Sequence, residues 1–178
     1  MTIVCYGDSN TWGYDPRDIF GDPYSKNWCE VLEELSGFSV RNLGENGRRI
    51  PEKEVLPTGT DLFAVMLGTN DLLQGDSSDA VCSKMEHFLK SIPLPPEKCL
   101  LISPPPMKLG AWVPDQMLIL ESLRMADSYQ SLAEKLGVLF ADAGLWNIPL
   151  TFDGVHFTEE GHRIFAHNLY RILLTNMR

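Results

Sequence analysis

Five short apolar runs, separated by helical stripes, set the strongest limit on how this chain can fold. Thr2–Tyr6, Phe38–Asn42, Leu62–Leu67, Cys99–Ser103 and Val138–Ala141 read as strands. Leu62–Leu67 is apolar throughout, which suits a strand buried on both faces. Between the strands the period lengthens. Trp28, Val31, Leu32 and Leu35 fall at i, i+3, i+4 and i+7, predicting a helix over Ser25–Ser36 that stops at Gly37. Val81, Met85, Phe88, Leu89 and Ile92 mark a second helix. Ile119, Leu123, Ala126, Leu132 and Leu136 mark a long third one, closed by Gly137. Phe165, Leu169, Ile172 and Leu173 place a last helix over Thr158–Leu174, with Thr158 as its N-cap and two glutamates in its first turn.

Strands that alternate with helices predict an α/β protein, a parallel five-stranded sheet with helices on both faces. The 178 residues carry no repeat, low-complexity tract or linker, so residues 1–178 read as a single domain with one substantial core. Ligands of such sheets sit beyond the carboxyl ends of the strands. Functional residues are therefore expected just after strand ends.

Bulk properties exclude several partners. The formal net charge of −9 lacks the basic footprint that nucleic acid requires, and it disfavours anionic membrane surfaces. No apolar run approaches the ~20 residues of a spanning helix. The first residues lack the pattern of a secretion signal. The four cysteines, Cys5, Cys29, Cys82 and Cys99, form no CxxC pair and have no zinc-finger spacing. These features predict a soluble cytoplasmic protein with reduced, packed thiols and no bound metal.

After the first strand comes "GDSNTWGYDP". Its hydroxyls and amide suit a phosphate cradle of the flavodoxin kind, but Asp8 would set a negative charge beside the phosphate, and no Walker lysine or GxGxxG follows. The far end of the chain offers another chemistry. "TFDGVHFTEEGH" holds Asp153 and His156 three residues apart. A serine hydroxyl needs a base near pKa 7, and the histidine needs a carboxylate to fix its tautomer. Asn42, Gly44 and Gly47 follow the second strand, and Gly68, Asn70 and Asp71 follow the third. Glycine N–H groups and an asparagine amide can hold a developing oxyanion. Four loops at one sheet edge thus carry the residue types that ester hydrolysis needs.

"GDSNTWG", "NLGENG", "GTND" and "DGVH", in this order across nearly the whole chain, resemble the four motif blocks of the SGNH hydrolases, a branch of the GDSL esterases. The resemblance implies a three-layer α/β/α sandwich of flavodoxin-like topology. It implies Ser9 as nucleophile, Asp153 and His156 as its partners, and an oxyanion hole of the Ser9 N–H, the Gly44 N–H and the Asn70 side chain. It implies no cofactor. "GDSNTWGYDP", "MLGTND" and "SPPPM" look most like the arylesterase and acyltransferase subgroup. Asn10 departs from the leucine commonest at that position, and the reading given to it is a change of pocket shape. Asn10, Trp12, Pro105, Met107 and Trp112 are the expected pocket residues. Short loops point to a small acyl group such as acetyl. The partner is then a small-molecule ester, hydrolysed or passed to an alcohol, and a homo-oligomer stays open. A carbohydrate O-deacetylase would share the same residues; a flavin-binding module and an inactive ligand-binding relative are the other readings. His162 is expected to pack, His87 and His167 to face solvent, and Arg48 and Arg49 to be solvated. Asp71 is expected to cap the next segment, and Asp8 to bond backbone N–H groups in its turn.

Overall fold

The computed structural model describes residues 1–176. The strands are β1 (Thr2–Gly7), β2 (Ser39–Gly44), β3 (Leu62–Met66), β4 (Cys99–Ser103) and β5 (Leu139–Asp142). All pair in parallel, in the order β2-β1-β3-β4-β5. Parallel neighbours cannot be joined by tight turns, so helices carry the chain back. These are α1 (Ser9–Trp12), α2 (Trp28–Ser36), α3 (Thr69–Leu73), α4 (Ser78–Ser91), α5 (Gln116–Leu136) and α6 (Glu159–Asn176).

The period of two along the strands sorts the core into two layers. Ile3, Cys5, Ala64, Met66, Leu100 and Ile102 face one way and pack with Trp28 and Leu32 of α2 and Phe165 and Leu169 of α6. Val4, Tyr6, Phe63, Val65 and Leu101 face the other way, against Met85 and Phe88 of α4 and Met125 and Tyr129 of α5. The central strands β1 and β3 therefore read as unbroken apolar runs. The three-layer α/β/α sandwich follows directly from that double burial.

Helix starts are set by capping side chains rather than by the apolar stripe. α2 begins at Trp28, not Ser25, because Asn27 accepts the Cys29 N–H while Glu30 accepts the Asn27 N–H, a reciprocal cap. Ser77 and Asp115 likewise start α4 and α5 ahead of their first apolar marks. Thr158 sits before α6 and accepts the Gly161 N–H at 3.0 Å. Gly37 and Gly137 close α2 and α5 in the left-handed conformation. The short α1 and α3 have no stripe long enough to be read from the sequence.

Among the described residues, no helix is long and apolar enough to cross a membrane. His87 and His167 are exposed on their helices. His162 is fully buried; its Nδ1 accepts the Trp28 N–H at 3.3 Å, while its Nε2 meets no partner among the described residues. Burial, with His156 nearby, pushes its pKa down to about 3. The unfolded chain binds this proton below pH ~6.5 and the folded chain does not until about pH 3. Stability is therefore lost as pH falls through that window, by up to ~1.4 kcal/mol per pH unit. His162→Asn keeps an acceptor for Trp28 but cannot ionise. Urea midpoints measured from neutral pH to pH 4 should fall less steeply for this variant than for the wild type.

Candidate active site

The sheet's strand order reverses at β1: the chain steps to β2 on one side, then returns to β3 on the other. At such a switch point the loops on either side diverge and leave a crevice. A cavity of about 240 Å³ opens there, lined by Ser9, Tyr14, Asn46, Gly47, Asn70, Trp112 and His156. A larger cleft of about 590 Å³ lies between α2 and α6. Its charged lining is already paired, Lys26 with Glu34 and Arg163 with Glu159.

Ser9 opens α1, immediately after the β1 strand end, and its Oγ lies 2.9 Å from His156 Nε2. His156 Nδ1 lies 2.7 Å from Asp153 Oδ2. Asp153 Oδ1 also accepts the N–H groups of Val155 and His156 at 2.8 and 2.9 Å. Burial alone would raise the Asp153 pKa. The bonds from the His156 ring and from these two backbone donors outweigh it and hold the carboxyl well below the usual range. An ionised carboxylate only accepts, so Nδ1 carries the ring hydrogen and Nε2 is left to accept from Ser9. Tyr14 and Trp112 pack against the imidazole, with ring centroids 4.8 and 4.9 Å away. The three residues expected to act together are thus joined in one hydrogen-bonded line at the cavity.

Asp8 caps α1: its side chain accepts the Asn10 N–H at 3.0 Å. The carboxylate thus occupies the helix start that a phosphate cradle would need free. Asn70 lines the cavity and donates one amide hydrogen to the Arg48 carbonyl at 3.0 Å, leaving its second for a ligand.

The glycine at the cavity is Gly47, not Gly44. The Gly44 N–H is already bonded to Asn42 Oδ1 at 2.8 Å, and Gly44 itself packs under the backbone of Trp12. Gly47 stands at the third position of a turn closed by Arg48 N–H to Glu45 O, with φ +74°, a conformation that favours glycine. Its own N–H meets no acceptor among the described residues. The Asn46-Gly47 pair was the available sequence signal, a common turn dipeptide.

The expected pocket needs further correction. Trp112 lines the cavity. Met107 is buried in the core, and Pro105 and Trp12 do not reach the wall. Asn10 is buried too, and its amide bonds Val155 and Phe157 instead of the cavity. Tyr14 takes the place those residues were expected to fill.

Arg48 and Arg49 are not solvated surface residues. Arg48 donates to the carbonyls of Gly7 and Leu43 and lies 4.2 Å over the Tyr6 ring, tying β1 to β2. Arg49 and Lys84 both reach the buried Asp71 and the half-exposed Asp76. Asp71 also accepts the Ile50 N–H at 3.0 Å. Asp71 is therefore the anchor of a charge cluster that ties residues 49–50 to α3 and α4, rather than a cap.

Residues 5–164 match the family described as GDSL-like Lipase/Acylhydrolase. No curated protein sequence matches the chain. Among solved structures, a proposed arylesterase from Agrobacterium tumefaciens str. C58 is 28% identical, with TM-score 0.81 over 98% of both chains. A carbohydrate acetylesterase family member from Sinorhizobium meliloti is 25% identical, with TM-score 0.81 over 99% of this chain and 98% of that one. The aryl esterase of M. smegmatis shares the fold at 24% identity, with TM-score 0.77 over 98% of both chains.

Electrostatics at the turn make a separate prediction. Burial pushes the Asp8 carboxyl up to about 6, against the pull of the Asn10 N–H and of His156. The folded state then holds this proton to higher pH than the unfolded one. The penalty for ionising Asp8 grows from pH ~3.8 to about 6 and stays above it, opposite in sign to His162. Asp8→Asn keeps the acceptor and removes the charge. Its stability relative to wild type should rise between pH 4 and pH 8 by up to about 3 kcal/mol, read from urea midpoints at the two pH values.

Proposed function

The chain belongs to the GDSL-like lipase/acylhydrolase family, and from that premise we propose that Ser9, His156 and Asp153 perform its ester hydrolysis on small acyl groups. The protein is a carboxylic ester hydrolase that acts on small-molecule esters. One observation supports the assignment above others: the unbroken line from Ser9 Oγ through both ring nitrogens of His156 to Asp153.

In this reading His156 Nε2 takes the Ser9 proton as Oγ attacks the ester carbonyl. The Ser9 N–H, the Gly47 N–H and the free Asn70 amide hydrogen hold the oxyanion. Asp153 stabilises the imidazolium without itself taking the proton. The intermediate collapses, and His156 passes the proton to the departing alcohol. Water then attacks the acyl-Ser9, giving one proton to His156 and releasing the acid; Ser9 recovers its hydrogen. An alcohol in place of water gives acyl transfer. Residues 1–178 act as one catalytic domain.

The cavity of about 240 Å³ supports a short acyl group, acetyl above all. The Tyr14 and Trp112 rings beside His156 suit a flat leaving group. An aryl alcohol is the first reading. A sugar presents its own apolar face to such rings, which keeps a carbohydrate O-deacetylase as the second, in line with the Sinorhizobium relative.

Ser9→Ala should abolish turnover of p-nitrophenyl acetate while leaving the thermal transition in place; retained turnover would sink the nucleophile assignment. Wild-type kcat/KM should fall from acetate to octanoate. Asn70→Ala should lower kcat by ~10²–10³. Comparing aryl acetates with acetylated sugars by kcat/KM separates the two leaving-group readings.

A further inference from the structure

Asn10 is 4% exposed and does not line the cavity. Its Nδ2 donates to the Val155 carbonyl at 3.1 Å, and its Oδ1 accepts the Phe157 N–H at 2.9 Å. Those two backbone groups stand on either side of His156. Asn10 itself is next to Ser9. We propose that Asn10 is a positioning residue: its amide holds the backbone on both sides of His156 and so sets the distance between the imidazole and the Ser9 hydroxyl.

The two segments are 147 positions apart in sequence. Among the described residues, the Asn10 bonds are the only hydrogen bonds joining 7–14 to 150–160, apart from Ser9–His156 itself. Asp153 fixes the ring's tautomer, and Tyr14 and Trp112 limit its tilt. None of these fixes the backbone of His156 relative to the strand end that carries Ser9. A primary amide does so because it offers a donor and an acceptor in one plane. A carboxylate has only the acceptor, and an alkyl group has neither. Proton transfer needs ~2.6–3.2 Å between heavy atoms, and an ångström of misplacement can cost ~10²-fold in rate. The inference rests on the proposed pairing of Ser9 with His156.

Asn10→Leu and Asn10→Asp, with wild type and Ser9→Ala, should be assayed on p-nitrophenyl acetate between about pH 5.5 and 8.5, with folding followed by near-UV circular dichroism. Asn10→Leu should lower kcat by about tenfold or more and change KM much less. Asn10→Asp is the sharper test. Its neutral carboxyl reproduces both bonds, an O–H to Val155 and a carbonyl for Phe157; its ionised form keeps only the second. The groups facing the new carboxyl are Asp8 on its own turn and Asp153 and His156 on the opposing loop. Burial and the two carboxylates favour its neutral form. The ratio of variant to wild-type kcat should therefore rise as pH falls and drop as pH rises. Dividing by the wild-type kcat removes the pH dependence that the two proteins share.

A folded Asn10→Leu with wild-type kcat, or a flat Asn10→Asp ratio, would overturn the inference. If Asn10→Leu does not fold, the Asn10→Asp ratio decides alone. Turnover that survives Ser9→Ala would overturn the Ser9–His156 pairing and this inference together. Turnover lost in Ser9→Ala with a flat ratio overturns only the role of Asn10.

Discussion

Two glycines facing each other across β1 and β2 let the chain turn back over the sheet edge. Gly7 and Gly44 are register partners at the ends of their strands. A Cβ on Gly7 would meet Thr11 Oγ1 at 2.0 Å, and one on Gly44 would meet the Trp12 N at 2.1 Å. Because both lack a side chain, the single turn of α1 settles directly on the strand ends. That seat holds Ser9 at the switch point, within reach of a histidine that arrives from the other end of the chain. Arg48 reinforces the seat by bonding the carbonyls of Gly7 and Leu43.

Around this seat, polar groups hold the loops while the apolar core holds the layers. Asp153 is surrounded by three donors and stays ionised. Asp8, adjacent in sequence to Ser9, is buried with fewer donors and has its pKa raised. Two carboxyls beside one imidazole are therefore pushed in opposite directions: burial wins at Asp8, and hydrogen-bond donors win at Asp153. The Asp71 cluster fixes residues 49–50, and the carbonyl of Arg48 orients Asn70. The Asn70 side of the cavity thus depends on charges that do not line it.

The architecture was legible because burial on two faces leaves unbroken apolar strands and helix stripes. Leu62–Leu67 and Phe165–Leu173 carry their environment in their own pattern. Capped starts were less legible, since Asn27 and Ser77 act through local side-chain hydrogen bonds that no period reveals. At the site, the residue types that follow each strand end were readable, and the structure brings Ser9, His156 and Asp153 together. The choice between Gly44 and Gly47 was not readable, because it depends on which N–H the Asn42 side chain occupies. Asn10, Arg48 and Arg49 were misplaced for the same reason. Their partners lie 145, 41 and 22 positions away, and the sequence alone does not reveal such contacts.

The central claim is that the acyl group passes through Ser9. Acid-quenching the enzyme during turnover of p-nitrophenyl acetate, then mapping the acyl group by peptide mass spectrometry, tests it most directly. The account predicts acetyl on Ser9, in the peptide running from Met1 to Arg17, and none there in His156→Ala. Acetyl on another residue that forms and decays at the turnover rate, with Ser9 unmodified, would contradict it.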